Sequence, residues 1–416
     1  MRDQKITNSI DWIAIFLYMA LVSIGWLNLY STTVTDTTVF DFSLEYGKQL
    51  IFILLSFVII LTILSFSAKI YENYAIIFYV IGIFMLLGLF VFGKTIKGQT
   101  NWYQFGPLSL QPSEFVKTTT LLLLAKFLSD SQTKLEYFSY QVKAMMIIGV
   151  PTLLILLQPD AGSAMVFMSL VFLMYRFGLP HWYIVTGFGA IFLFLFGLFY
   201  PPTYIIVPVL LVMIYSYFNT KRAYRQPIVY AIIFSVISIY TYSVDYVFDN
   251  VLEPHQQDRI KVLFDKNINV KREGYNLNQS MIAIGSGGLF GKGYLEGTQT
   301  KGGFVPEQQT DYIFTTVGEE WGFVGSTIVI LLFLGLILRL IQLSNRQKNP
   351  FSKVYGYGVA CILSFHFMVN ISMLIKLFPT IGVPLPYFSY GGSSMWAFTI
   401  LLFIFLKLDA YRVNEW

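Results

Sequence analysis

The sequence is poor in charge and nearly without cysteine. A single cysteine, Cys361, in 416 residues excludes an intramolecular disulfide, and its apolar surroundings read as those of a small core residue. Charged side chains make up only 12% of the chain and apolar ones 56%, which excludes an ordinary water-facing surface. No stretch has the composition of a soluble domain, a low-complexity linker or a short repeat. A cleavable signal peptide is not expected either. The apolar run from Ile10 to about Tyr30, preceded by Arg2 and Lys5, is long enough to span a bilayer and lacks a short core with a small-residue cleavage site.

What the chain has is one apolar run after another, with 18% aromatics and a mean hydropathy of +0.63. About 20 apolar helical residues cross a bilayer core, so the expected fold is all-α, a polytopic membrane bundle of about twelve helices in one domain over residues 1–416. The crossings fall at approximately 10–31, 49–67, 71–93, 114–129, 141–158, 162–177, 181–200, 204–218, 228–246, 311–342, 354–377 and 390–410. Basic residues collect in alternate loops: Lys69; Lys126, Lys134 and Lys143; Arg176; Lys221, Arg222 and Arg225; Arg339, Arg346, Lys348 and Lys353. The positive-inside rule makes these loops and both termini cytoplasmic. The other loops are then extracytoplasmic: the acidic one with Asp36, Asp41 and Glu45, the stretch 94–112, and the longest, about 246–310.

Polar residues gather in four clusters, all on that outer side. The most informative residue is Asp311, in the run Val305-Pro306-Glu307-Gln308-Gln309-Thr310-Asp311, with Glu319 and Glu320 shortly after it. An ionisable group in a membrane segment costs a few kcal/mol at least, so three acids at one helix mouth read as a working site; the alternative is that they simply sit in interfacial water. The second cluster, Gln111-Pro112-Ser113-Glu114-Phe115-Val116-Lys117, opens a helix with Glu114 in its first turn, where the helix dipole favours an anion. Capping accounts for Glu114 but not for Lys117, three residues on and on the same face. The third, Gln158-Pro159-Asp160-Ala161-Gly162, suits a tight hairpin with Asp160 as an N-cap. The fourth, Gly382 to Ser394, has prolines that prevent a continuous helix and a Gly-Gly-Ser-Ser end that can open one. Within the long loop, Gly285 to Gly293 holds five glycines in nine residues. Such backbone can cradle an anion such as pyrophosphate or form a turn packed between helices.

These strings, in this order, resemble the SEDS family (shape, elongation, division, sporulation), and within it the RodA branch. They are QPSEFVK at Gln111–Lys117, QPDAG at Gln158–Gly162, QxxR at Gln256–Arg259, Gly274–Thr300, Val305–Gly325 and GVPLPYFSYGGSS at Gly382–Ser394. The GKGYLEGTQT and GVPLP strings favour RodA over the division-specific FtsW-like paralogue. Two departures stand out. Relatives carry a DPxxDPxG-like string where this chain has Asp265 to Gly274 without those prolines. Relatives also have ten crossings, so a helix pair at about 204–246 reads as inserted.

The resemblance implies a peptidoglycan glycosyltransferase that polymerises lipid II on the outer face of the cytoplasmic membrane for cell elongation and shape. It implies Asp311 as general base, taking the proton of an acceptor GlcNAc 4-hydroxyl as that oxygen attacks the anomeric carbon of a donor MurNAc. Undecaprenyl pyrophosphate leaves, and the α-to-β change makes this a single inverting displacement. The leaving group needs positive charge, from Lys117, Arg259 and Lys48, with a divalent cation, Mg2+ or Mn2+, left open as cofactor. Glu114 would orient Lys117 or the acceptor. Gln111, Asp160, Gln279, Ser280, Glu319, Glu320 and Ser389 complete the supporting and substrate-binding set. Grooves between helices would take the polyprenyl tails. Implied partners are a class B penicillin-binding protein transpeptidase, other membrane proteins of the elongation complex and membrane lipids, and no nucleic acid. Two rival classes are a lipid-linked-precursor flippase or other transporter and a noncatalytic scaffold; charged groups gathered at one face suit an enzyme better than a transporter.

Overall fold

A computed structural model of the chain describes residues 10–34, 40–96, 98–106, 108–221, 225–252, 254–264 and 274–412. Arg2, Lys5, Asp36, Arg222 and the divergent 265–273 string lie outside the described residues, as do both chain ends. The chain forms two compact units, Met1–Leu179 with Asn269–Trp416, and Pro180–Ile268.

In chain order the first unit begins with α1 (Trp12–Thr33), α2 (Glu45–Ser65), α3 (Ala68–Asn73) and α4 (Ala75–Phe92). Asp11 caps α1, its carboxylate accepting the Ala14 N–H at 2.9 Å. The 94–112 stretch then forms a small antiparallel sheet, β1 (Lys94–Ile96), β2 (Gln99–Phe105) and β3 (Leu108–Leu110), in the order β1-β2-β3. The fold is otherwise helical, as expected. This sheet was not foreseen, although β2 (Gln-Thr-Asn-Trp-Tyr-Gln-Phe) is rich in strand-forming residues. Next come α5 (Pro112–Ser129), α6 (Phe138–Leu156), α7 (Ala161–Val166) and α8 (Ser169–Arg176). Pro112 occupies the first position of α5, where its missing N–H costs nothing.

The second unit holds α9 (Trp182–Gly197), α10 (Pro202–Asn219), α11 (Pro227–Asn250) and α12 (Pro254–Phe264). Within it α9 and α11 pair, with the Tyr240 hydroxyl donating to the Ala190 carbonyl at 3.0 Å. The first unit resumes with α13 (Tyr275–Ser286), α14 (Thr298–Lys301), α15 (Ile313–Glu320), α16 (Gly322–Asn345), α17 (Pro350–Leu374) and α18 (Gly392–Tyr411).

Among the described residues nine helices are long and apolar enough to cross a membrane: α1, α2, α4, α6, α10, α11, α16, α17 and α18. The α5 helix, the broken α7–α8 rod and α9 fill the other expected positions. The crossing expected over 311–342 is not one helix: it breaks at Trp321 into α15 and α16. The long loop is largely structured as α12, α13 and α14. The core lies around α18, whose spanning window is 83% buried, against 0% for α10, whose apolar side chains remain open for lipid. Cys361 on α17 is half-buried rather than enclosed.

One end of the first unit is tied by charge. Arg339 of α16 donates to Asp11 at 2.6 Å, Arg346 pairs with Asp409 of α18, and Gln347 donates to the same carboxylate at 2.6 Å. The start of α18 lies at the other end of that helix, and hydrogen bonds bring the starts of α5 and α18 together there.

Candidate active site

Hydrogen bonds join the four clusters directly. The Tyr390 N–H donates to the Gln309 carbonyl at 2.8 Å. Ser389 Oγ donates to the Thr310 carbonyl at 2.6 Å and accepts from the Leu385 N–H at 2.9 Å. Ser393 Oγ accepts from the Gln111 N–H at 3.1 Å. Asp160 caps α7 through the Ser163 N–H at 3.0 Å, and its other oxygen accepts from Gln111 Nε2 at 3.1 Å and Asn101 Nδ2 at 2.7 Å. The sheet thus supplies Asn101 to a carboxylate that loop sequence alone left isolated.

Asp311 lies just before α15 and is half-buried. Its own carbonyl accepts from Asn370 Nδ2 at 2.9 Å. Its carboxylate stands over Gly382: a Cβ there would come within 3.3 Å of Oδ2, and Gly382 has φ +75°. A glycine is needed at that spot for both reasons.

On α5, Lys117 and Glu114 form a buried pair, Nζ to Oε2 2.9 Å, each 3% exposed. Lys117 Nζ is also 3.0 Å from His366 Nε2 and 4.6 Å from the centre of the Phe398 ring. The ammonium is enclosed by an anion, an imidazole and an aromatic face, and Asp160 is within electrostatic reach. It does not face lipid. Two of its three N–H donors are engaged, by Glu114 and by the His366 ring nitrogen.

Glu319 and Glu320 do not join Asp311. Helical rise alone sets Glu319 roughly 12 Å further along. Glu319 is fully buried and accepts from Lys292 Nζ (2.8 Å), Thr298 Oγ1 (3.2 Å), the Gln299 and Thr300 N–H groups (2.8 Å each) and Thr300 Oγ1 (2.7 Å). Its acceptor capacity is spent on the start of α14. Glu320 accepts from Ser31 of α1. Burial and the charge of Glu320 push the neighbouring Tyr294 hydroxyl up to about 12. The glycine-rich turn is packed, not open. Its Lys292 and Gly293 N–H groups donate to the Glu319 and Glu320 carbonyls at 3.0 and 3.1 Å, which supports the reading of a turn packed between helices.

The remaining expected residues are dispersed. Ser280, on α13, is buried against Thr315 of α15 at 2.9 Å, and Gln279 beside it is half-buried. Lys48 is exposed in the first turn of α2; its buried neighbour Gln49 touches the site, accepting the Gly391 N–H at 3.1 Å. Arg259 lies on α12 in the second unit. No group of three or more His, Cys, Asp or Glu that could hold a metal occurs among the described residues. A divalent cation there would need substrate phosphates and water for most of its ligands.

Sequence reasoning missed His366, Asn370, Gln49, Asn101 and Ser393. The one signal on offer was cost: a lone polar residue such as His366 inside an apolar helix needs a reason. An apolar groove of about 540 Å³ lies on the other face of α5, lined by α2, α4, α5 and α18, including Val58, Phe78, Phe115, Leu122 and Ile404.

Comparison with known proteins identifies the family and the fold. The FtsW/RodA/SpoVE family of cell cycle proteins matches residues 11–222 and 202–414. The chain belongs to that family. It is 31% identical to the peptidoglycan glycosyltransferase RodA of Treponema pallidum (strain Nichols), over 97% of this chain and 98% of that protein. It is 31% identical to the peptidoglycan glycosyltransferase MrdB of Escherichia coli (strain K12), over 82% and 80%. Among solved structures, a chain of a peptidoglycan synthase complex that coordinates polymerization and crosslinking aligns with TM-score 0.72 at 26% identity, covering 98% of this chain and 99% of that one. The rod shape determining protein RodA of Thermus thermophilus shares the fold, with TM-score 0.62 over 97% and 98% of the two chains at 23% identity. The FtsW/RodA/SpoVE chain described here is thus a multi-pass membrane protein.

Proposed function

We propose that this chain polymerises lipid II by inverting glycosyl transfer, with Asp311 as the general base. The glycosyltransferase class follows from the family. The finer assignment rests on one observation. Among the acids singled out for the site, Glu114, Asp160, Glu319 and Glu320 are 4% exposed or less, whereas Asp311, just before α15, is half-buried. A half-buried carboxylate is open to a ligand as the enclosed ones are not.

The Asp311 carboxylate takes the proton of the acceptor 4-hydroxyl while that oxygen bonds to the donor's anomeric carbon. The bond from that carbon to the pyrophosphate oxygen breaks, and undecaprenyl pyrophosphate departs with the electron pair. Lys48, exposed at the start of α2, supplies mobile positive charge to the departing group. Lys117, buried, adds a fixed field. The groove beside α5 takes a polyprenyl tail from the bilayer. The site faces the extracytoplasmic side, and a class B penicillin-binding protein cross-links the product.

The test is polymerisation of purified lipid II in detergent. Loss of a general base typically costs about 100- to 10,000-fold, so Asp311→Asn should be nearly inactive at normal membrane insertion. Activity within about threefold of wild type would reject the base, being far short of that expected loss. A flippase would need a sealed bilayer, and a scaffold would make no glycan.

A further inference from the structure

One turn apart on α17, His366 and Asn370 face the same way and reach the same extended segment. Both Asn370 amide protons are used, one on the Asp311 carbonyl (2.9 Å) and one on the Val383 carbonyl (2.8 Å). That fixes the amide's orientation, since the flipped form would set its oxygen against two carbonyl oxygens. His366 Nδ1 is 3.1 Å from the Pro384 carbonyl, which can only accept. Nδ1 therefore carries the proton, and Nε2 presents a lone pair to Lys117 at 3.0 Å. A doubly protonated ring would aim N–H at an ammonium, so the imidazole is held neutral in one tautomer.

We propose that His366 and Asn370 are positioning residues that lock Asp311 to the Lys117–Glu114 pair through the backbone of 383–384. The chain of bonds runs from the Glu114 carboxylate to Lys117, His366, the Pro384 and Val383 carbonyls, Asn370 and the Asp311 backbone. Val383 and Leu385 are buried, at 1% and 0% exposure, so the linking segment is itself immobilised. Neither residue touches a reacting atom. Their work is to hold the carboxylate over Gly382 in one place, where a displacement of about 1 Å can cost about 100-fold in rate. This rests on Asp311 being the base.

The experiment measures kcat and KM for lipid II on monodisperse detergent-purified variants, with Asp311→Asn as reference. Asn370→Ala, and Asn370→Asp, which sets a carboxylate against two carbonyls, should lower kcat by roughly 10- to 100-fold with KM within about threefold. A purely structural role would reduce the folded fraction and leave kcat per folded molecule unchanged. The His366 series needs no large cavity and carries the test if Asn370 variants do not fold. His366→Gln keeps an acceptor for Lys117 and should recover at least about tenfold over His366→Leu, while His366→Asn, too short to reach Lys117, should not. Equal kcat for wild type, Asn370→Ala and His366→Leu, alongside an inactive Asp311→Asn, overturns the positioning role alone. An active Asp311→Asn overturns the base and this inference with it.

Discussion

At the scale of single residues, burial separates the acids: Glu114, Asp160, Glu319 and Glu320 are enclosed and Asp311 is half-buried. Asp311 stood out in the sequence because a carboxylate at the mouth of an apolar segment is expensive. Glu319 and Glu320 were misgrouped with it, because adjacency in sequence says nothing of the donors at Lys292, Thr298 and Thr300 that consume Glu319. The Glu114–Lys117 spacing was legible, but the third partner, His366, is 249 positions away. The pair makes a stability prediction. Lys117→Met leaves a buried carboxylate unpaired and should cost about 3–5 kcal/mol. Removing both charges, as Glu114→Gln with Lys117→Met, should recover most of that stability while polymerisation stays lost. Thermal unfolding in detergent decides it; a double variant no more stable than the single one would mean the pair is not coupled.

Among the elements, the helices were legible from apolar runs and two of their starts from Pro112 and Asp160; the Asn349 cap of α17, through the Phe351 N–H at 2.8 Å, was not read. Neither was the break between α15 and α16. Apolar character continues across Trp321, but Gly322 takes φ +65° at the junction, and a distant segment packs against it. The glycine-rich turn inserts there, with the Phe323 and Val324 N–H groups donating to the Gly288 and Leu289 carbonyls at 2.9 and 3.1 Å. Gly291 sits at φ +81°, and a Cβ on it would stand 2.0 Å from the Glu320 carbonyl oxygen. Gly291→Ala combines a left-handed backbone with overpacking and should destabilise by roughly 2–5 kcal/mol. An unfolding temperature equal to wild type would show that the junction adjusts and does not fix α15. The sheet was missed for a similar reason: its value lies in delivering Asn101 to Asp160, a pairing no local pattern encodes.

At the scale of the first unit, hydrogen bonds hold the four polar clusters together at one end, and ion pairs among Asp11, Arg339, Arg346 and Asp409 tie α1, α16 and α18 at the other. The likeness to a chain from a peptidoglycan synthase complex that coordinates polymerization and crosslinking extends over 98% of the sequence, so the proposed partnership has a direct test. Co-expression with the native class B penicillin-binding protein should yield a complex stable in mild detergent and more glycan per molecule. Unchanged output with no complex would mean the chain works alone or with another class of partner. The groove beside α5 carries one more consequence. Because it is walled by side chains such as Val58, Phe115 and Ile404, a ligand arriving through it comes sideways out of the bilayer. The quantity that governs its occupancy is then the crowding of that lipid within the membrane plane, not its amount per litre, and adding inert lipid dilutes the substrate without changing the volume at all.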